Sequence, residues 1–368
     1  MKITRLTVRN FRNYRDATAV FHPRVNCLVG SNAQGKTNLL EAVYLLSLGR
    51  SFRLSDYRQL IHWGEAAGRV LGETEVGEIR HTIEVELGPE RKQLFVDGKQ
   101  RTGREPWRQA VVLFAPEEVL LFKEVPAVRR SFLDRVATML LPAHAVAVAR
   151  YERIVTQRNR LLKVMGTKAV SEGLIDPWNR ELATWGQALF KARETAVDAI
   201  NAYLPAAYRR MAERDPPAQL TYRPYCGADV LRGGPAAIAA WFARQQDERA
   251  LDEVARQHTL MGPHRDNCTA ELAGNDLQTF GSQGQHRSLV LAIKVAEGEI
   301  SRERCGEVPL FLLDDVTSEL DPIRTAAFFS YLAAMEGQVI WTTTARHDIP
   351  PAVIHRIFAV ADGRIEVE

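Results

Sequence analysis

The chain has 368 residues, 46% apolar and 25% charged, an ordinary composition that excludes collagen-like, low-complexity and disordered classes. At roughly 150 residues per domain it holds two or three units. Lys and Arg number 48 against 45 Asp and Glu, a net of +3, which neither requires nor excludes a nucleic-acid partner; the distribution of charge must decide.

Leu6 and Val8 alternate with Thr7 and Arg9, the period of a half-buried strand. A second apolar run, Val25-Asn26-Cys27-Leu28-Val29, ends at Gly30, and Leu39, Leu40, Val43 and Leu46 follow at helical spacing. Residues 69–103 read as antiparallel strands: Ile83, Val85 and Leu87 alternate with Glu84 and Glu86, and Asp97-Gly98 is a turn pair. From about 117 the character changes, and 128–213 carries helical apolar spacing with few strand formers. The Pro- and Gly-rich stretches 214–227 and 232–235 read as loops, and a helix over 236–257 precedes the loop Met261-Gly262-Pro263-His264-Arg265-Asp266. After 268 strand and helix patterns alternate again. The strand-rich ends are therefore expected to form one unit with a helical insertion between them. The cysteines Cys27, Cys226, Cys268 and Cys305 form no Cys-x-x-Cys pair, so neither a zinc module nor a disulfide framework is indicated and the cytoplasm is the expected setting. No apolar signal core follows Met1-Lys2-Ile3-Thr4-Arg5, and no uncharged run approaches the ~18 residues of a membrane span.

The octapeptide Gly30-Ser31-Asn32-Ala33-Gln34-Gly35-Lys36-Thr37 fits G-x-x-x-x-G-K-[ST] between a predicted strand and a predicted helix. Glycines let the backbone wind tightly, so that successive N–H groups point at phosphate oxygens. Lys36 can set its ammonium on the β- and γ-phosphates of ATP, and the Thr37 hydroxyl can ligate Mg2+. The following helix turns its positive end toward the same anion. Further on, Leu310-Phe311-Leu312-Leu313 is the kind of apolar run buried on both faces of a parallel sheet, and it ends in Asp314-Asp315. Beside a phosphate loop, Asp314 is placed to hold Mg2+ through its water shell and Asp315 to orient or deprotonate an attacking water. Read alone, the pair is a core strand ending in a solvated turn. Ser282-Gln283-Gly284-Gln285 opens a helix carrying Leu289, Ala292, Ile293 and Ala296. Such a start either caps the helix or offers a hydroxyl and free N–H groups to an anion.

Charge is unevenly spread. Between Arg129 and Lys168 nine basic residues face two acidic ones, a net of +7 that leaves −4 for the rest of the chain. Arg150, Arg153, Gln157 and Arg160 fall on one helix face, with Ile154, Leu161 and Met165 marking a buried side. Arg150, Arg153, Arg158 and Arg160 are thus candidate phosphate contacts that would neutralise DNA without reading bases, the alternative being a solvated face. Arg50, Arg53 and Arg58 are the second choice for a DNA surface.

The order of phosphate loop, Ser282-Gln283-Gly284-Gln285, acidic strand and Ser318-Glu319-Leu320-Asp321 resembles that of ABC-type ATPases, where the second and fourth blocks are the signature and the D-loop. That resemblance implies that Ser282, Gly284 and Gln285 complete the ATP site of a second subunit. The 245 residues from Thr37 to Ser282 are too many for a transporter subunit, and the chain lacks the length and the cysteine hook of SMC and Rad50 proteins. The blocks Leu6–Tyr14, Gly30–Ala42, Ser51-Phe52-Arg53, Arg129–Asp134, Gln157–Lys163, Gly262–Asp266 and Leu312–Asp321 resemble the RecF family of bacterial recombination mediators over nearly the whole chain.

The resemblance implies an α/β fold. An ABC-type ATPase head, with a phosphate-loop mixed sheet and an antiparallel β subdomain, carries an inserted, mostly helical second lobe and no long coiled coil. The head is expected from residues 1–116 and 263–368, and the arm from 117–262. ATP and Mg2+ are the implied cofactors. An ATP-dependent homodimer, DNA (single-stranded, gapped or junction), RecR and RecO are the implied partners. Slow DNA-stimulated hydrolysis, RecA loading, gap repair and SOS induction follow. By likeness to SMC-type heads Arg12 is a candidate nucleotide contact, with an exposed surface arginine as the alternative. Asp315 stands where most ABC members carry Glu, and no switch histidine or Q-loop glutamine stands at Thr342-Thr343-Thr344 or Phe114-Ala115-Pro116-Glu117, which points to slow turnover. The competing readings are a transport-coupled ATPase subunit and an ATP-binding adaptor without a DNA role.

Overall fold

The computed structural model describes residues 2–54, 56–77, 79–101, 110–166, 172–213, 215–344, 346 and 354–368. They divide into two compact units: Met1–Leu120 with Ala207–Arg214 and Arg287–Glu368, and Leu121–Ala206 with Asp215–His286.

In chain order the first unit opens with β1 (Lys2–Phe11), β2 (Tyr14–Val20), β3 (Val25–Val29), α1 (Lys36–Leu48), β4 (Gly68–Val76), β5 (Ile79–Leu87), β6 (Lys92–Val96), β7 (Lys99–Gln100) and β8 (Val111–Phe114). The second unit follows with α2 (Pro126–Leu140), α3 (His144–Met165), most of α4 (Asp176–Met211), β9 (Ala218–Arg223), α5 (Ala228–Arg232), α6 (Gly234–Arg256), β10 (Asn267–Leu272), β11 (Asn275–Asp276) and α7 (Leu277–Phe280). α8 (Gln283–Arg304) returns the chain to the first unit, which ends with β12 (Leu310–Leu313), α9 (Val316–Glu319), α10 (Pro322–Ala334), β13 (Val339–Thr343), β14 (Arg356–Ala361) and β15 (Arg364–Val367).

The first unit holds two six-stranded sheets. One is antiparallel, in the order β2-β1-β4-β5-β6-β7. Its strands alternate buried Leu6, Val8, Val70, Ile83 and Val85 with exposed Arg5, Arg9, Arg69 and Glu86, as strands with one wet face must. The other runs β15-β14-β3-β13-β12-β8, parallel except for β15 at the edge. Its central strands β12 and β13 are buried at every position, which is why they read as unbroken apolar runs. α1 is apolar and buried nearly all round, because it contacts β1, β4 and β5 of one sheet and β13 of the other.

The second unit is helical around a small antiparallel sheet, β11-β10-β9. Residues 218–223, expected in a loop, form β9 instead. Leu220 and Ala218 turn inward, the strand pairs with β10, and the Asn201 side chain bonds both the N–H and the C=O of Leu220. Residues 263–286, expected with the head, group with the helical unit, and β10 within them pairs with β9. Tyr151, Ile154, Leu182, Phe190, Trp241, Phe242 and Met261 are among its core. The longest helix, α4, has 36 residues, about 54 Å, so the described residues contain no long coiled coil. Among them, no helix is long and apolar enough to cross a membrane.

Candidate functional site

β3 delivers the phosphate loop and α1 receives it. Gly30 passes so close to β14 that a side chain there would strike the Val360 carbonyl, and Gly35 sits at φ 115° against Asn13 and the Tyr14 hydroxyl. Neither position accommodates a Cβ. The β1–β2 turn braces the loop: Asn13 Nδ2 donates to the Gln34 carbonyl at 3.0 Å, and the Tyr14 hydroxyl donates to the Gly35 carbonyl at 3.0 Å. Lys36 Nζ donates to the Gly30 and Ser31 carbonyls at 2.6 and 2.8 Å. Its burial holds the ammonium below its ordinary pKa, although Asp315 and Asp314 favour the charged form.

Because β3, β13, β12 and β8 are neighbours and parallel, their C-terminal ends open on one crevice, the usual place for a ligand in such a sheet. A cleft of 480 Å3 lies there, lined by Lys36, Thr37, Arg53, Glu117, Asp314, Asp315 and Thr342 among others. The Thr37 hydroxyl lies 2.9 Å from both Asp314 carboxylate oxygens. Thr342 Oγ1 donates to Asp314 at 2.8 Å and accepts from the Asp315 N–H at 2.9 Å. Burial pushes the Asp314 carboxyl above its ordinary range; the Thr342 and Thr37 hydroxyls oppose this and the Glu117 and Asp315 charges add to it. Asp315 sits in the left-handed region at φ 45°, accepts from the Ser318 hydroxyl at 2.9 Å, and keeps its buried Oδ1 without a hydrogen-bond partner. Backbone strain of this kind collects at functional sites.

Arg12 does not line the cleft, nor is it a free surface arginine. It makes a two-pronged pair with the buried Glu41, Nε to Oε2 at 2.7 Å and Nη2 to Oε1 at 2.9 Å. The Ser51 hydroxyl donates to the same carboxylate and accepts from the Arg53 and Leu54 N–H groups, while Phe52 packs on Tyr44 at 5.3 Å. Arg12 thus anchors the segment that brings Arg53 to the cleft. The block Ser51-Phe52-Arg53 was legible, but Arg53 was named only as a second choice for DNA, and Glu117 and Thr342 only as places where a Q-loop glutamine and a switch histidine are missing; their strand-end positions were the available signal for the cleft. Ser282, Gly284 and Gln285 do not line this cleft either. The exposed Ser282 and half-buried Gln285 form a reciprocal capping box at the start of α8: Ser282 Oγ accepts from the Gln285 N–H at 3.2 Å and Gln285 Oε1 accepts from the Ser282 N–H at 3.0 Å.

On α3, Arg150, Arg153 and Arg160 are exposed. Arg158 is not, and its assignment as a DNA contact is corrected. It is 2% exposed, donating to Glu253 at 2.5 Å, Asn179 at 2.9 Å and Thr259 at 3.1 Å. The reason is periodicity: Ile154, Arg158 and Leu162 recur at i+4, so Arg158 lies on the buried face. Arg129 is also buried, donating to Asn267 and to the Glu124 carbonyl. The +7 segment therefore overstates surface charge. Nearby, Arg193 grips Asp134 through two 2.8 Å bonds and Asp266 through a third. Against the burial that would raise it, Arg193 and His144 hold the Asp134 carboxyl down to about 2. The blocks Arg129–Asp134 and Gly262–Asp266 meet in this hub.

Fold and cleft together define a phosphate-loop head of the SMC type. The RecF/RecN/SMC N terminal domain pattern matches residues 2–105. A "DNA replication and repair protein RecF" from Heliobacterium modesticaldum is 35% identical over 370 residues, 99% of this chain and 99% of that protein. The chain belongs to the RecF family of DNA replication and repair proteins. A solved structure of the recombination mediator protein RecF with ATP, from the RecFOR pathway, superposes with a TM-score of 0.91 at 28% identity, covering 100% of this chain and 97% of the other. An Smc head bound to the C-winged helix domain of ScpA shares the fold alone, with a TM-score of 0.58 at 15% identity over 100% of this chain and 97% of that one.

Proposed function

We propose that this chain is an ATP-dependent recombination mediator that uses ATP to close two copies of itself on DNA. The observation that carries the reading is the convergence of Lys36, Thr37, Asp314 and Asp315 on one cleft beside the phosphate loop. The backbone of Gly30–Gly35 cradles the phosphates, and Lys36 exchanges its two carbonyl partners for phosphate oxygens. The donors around Asp314 are all oxygen, and Asp315 Oδ1 is buried without a partner. That set fits Mg2+, which takes one or two protein ligands and completes its shell with phosphates and waters; among the described residues no group of three or more His, Cys, Asp and Glu is placed to hold a metal alone. Thr37, and Asp314 through water, would hold the ion, which would supply positive charge to neutralise the γ-phosphate. Asp315 accepts a hydrogen bond from the attacking water, and its short side chain together with Thr342 in the strand-end position makes hydrolysis slow.

Ser282, Gly284 and Gln285 meet the γ-phosphate of a partner copy. The Ser282 oxygen accepts from Gln285 as a cap, while its hydroxyl proton remains free to be donated. Hydrolysis then separates the copies. Arg150, Arg153 and Arg160 take DNA phosphates of single-stranded, gapped or junction DNA, and the closed dimer supports RecR and RecO in RecA loading, gap repair and the SOS response.

Sedimentation of the full chain with ATP and Mg2+ tests this reading. The wild-type protein is expected to form a dimer that Ser282→Arg abolishes, with ATP binding per copy unchanged. Loss of ATP binding in that variant would overturn the assignment of Ser282 to a partner's site.

A further inference from the structure

At the ends of β3 and β14 remote from the phosphate loop, basic side chains from separate segments gather in the first unit. Lys2 comes from β1, His22 and Arg24 from the turn into β3, and His355 and Arg356 from the start of β14. The His22 and His355 rings stack at 4.6 Å with planes 16° apart. Two buried amides lock the turn. Asn26 Oδ1 accepts from the His22 N–H at 2.7 Å, and Asn26 Nδ2 donates to the His22 carbonyl at 2.8 Å. Gln338 Nε2 donates to the carbonyls of Ile3 and His22, and Gln338 Oε1 accepts from the Ile3 N–H. The constellation is therefore built into the fold.

Among the described residues its charge meets no carboxylate. Arg24 Nη2 donates to the Ala333 carbonyl at 3.0 Å and Arg356 Nη1 to the Val20 carbonyl at 2.5 Å, neither of them a charged partner. Among the described residues none of the five makes an ion pair with a carboxylate, although Glu75 stands opposite Lys2 in the β1–β4 register. Burial, then His355, Arg356, Arg24 and Lys2, hold His22 below its ordinary pKa, so the groups acting on it are all basic. Lys2, Arg24 and Arg356 are half-buried, so these three cations lose hydration and repel one another, with no carboxylate among the described residues to offset it. Arg12, Arg158 and Arg193 each have a carboxylate.

Exposed aliphatic side chains stand on nearby strands of the same sheets. Val20, whose carbonyl receives Arg356, is 42% exposed. Val76 and Ile79 pair with each other one step beyond Glu75, and Val367 pairs with Phe358; all three are exposed. Nucleic-acid interfaces are more polar and more positive than protein–protein ones, where arginine is enriched, so exposed aliphatic side chains beside Arg24 and Arg356 favour a protein partner.

We propose that this edge docks an acidic, aliphatic-rich segment of a partner protein, with carboxylates on Lys2, Arg24 and Arg356 and aliphatic side chains on Val20, Ile79 and Val367. The proposal is independent of the nucleotide cleft and of α3. A fluorescein-labelled peptide of about 15 residues, alternating Asp and Glu with Leu, is titrated with the full chain and followed by anisotropy, beside an Asn/Gln analogue and a single-stranded oligonucleotide. Saturable binding of the acidic peptide is expected, falling at least about tenfold with Arg24→Gln/Arg356→Gln. It is expected to fall severalfold with Ile79→Ser/Val367→Ser and to be unchanged with Arg150→Glu. Arg24→Lys/Arg356→Lys, which keeps the charge, is expected to bind within about threefold of wild type, separating charge loss from misfolding; the melting temperature of each variant is the second check. Equal binding of the amide analogue, undiminished binding in a folded Gln variant, or an Arg24- and Arg356-dependent affinity for the oligonucleotide alone would each overturn the proposal.

Discussion

In the cleft of the first unit, Lys36 rests on two backbone carbonyls and Asp315 keeps a buried carboxylate oxygen without a partner. In the hub of the second unit, the Arg193 guanidinium donates to Asp134, to Asp266 and to the Pro263 carbonyl, while the Tyr222 hydroxyl and the Tyr225 N–H complete Asp266. Both regions concentrate buried charge. One saturates it within the chain and so holds a fold; the other leaves bonding capacity open and so waits for a ligand. Burial alone does not tell a functional charge from a structural one. In these two regions the completeness of its bonding separates them.

The largest test of that contrast is Arg193→Met. It strands Asp134 and Asp266 without a cation and is expected to destabilise the protein by about 3–5 kcal/mol, measured by urea denaturation. The hub also carries a pH signature. Asp134, at about 2 against an ordinary 3.8, contributes stability above 3.8 that is lost as pH falls through 3.8 toward 2. Asp266, whose carboxyl burial pushes up to about 6 against the pull of Arg193, has the opposite sign and costs stability as pH rises from 3.8 toward 6; in the variant the Asp134 contribution is expected to shrink and the Asp266 cost to grow. An unchanged denaturation midpoint would show that the hub is not holding the fold.

Lys36→Ala inverts the expectation. It removes two bonds to neutral carbonyls, so the melting temperature without nucleotide is expected to move little, while ATP affinity falls about 100-fold as the charge-assisted hydrogen bonds to phosphate disappear. Calorimetric titration measures the second and a thermal melt the first; a variant as unstable as Arg193→Met would place the cleft in the structural class. Smaller still is the effect of Arg150→Glu/Arg153→Glu/Arg160→Glu. DNA affinity is expected to weaken and the slope of log K against log salt to flatten by about 0.9 for each phosphate no longer neutralised, whereas Arg158→Gln is expected to unfold the helix packing rather than change that slope. An unaltered slope in the triple variant would move the DNA site to other basic residues.

Much of this was legible in the chain. The phosphate loop, the acidic strand end and the capping serine could each be read because their chemistry lies in contiguous residues. The same holds for β3, α1 and β12, whose periodicities are strong. β9 was not legible: Pro216 and Pro217 precede it, and only pairing with β10 makes residues 218–223 a strand. Arg158 was misjudged, and Arg12 was left open between two settings, because an arginine's surroundings are set by distant residues, Glu253 for the first and Glu41 for the second. For Arg158 the i+4 spacing from Ile154 was already a warning.

By itself, then, the sequence determined which chemistry the protein carries, because a phosphate loop needs its glycines, lysine and threonine side by side whatever surrounds them. It also determined the family, through blocks spread over the whole chain. Tertiary structure alone decided which charges are free. A guanidinium buried beside a carboxylate and one left in water are the same letter in a sequence. The difference is desolvation and pairing, and both arise only when the fold brings distant segments together, Arg193 to Asp134 in one unit and Arg24 to the Ala333 carbonyl in the other.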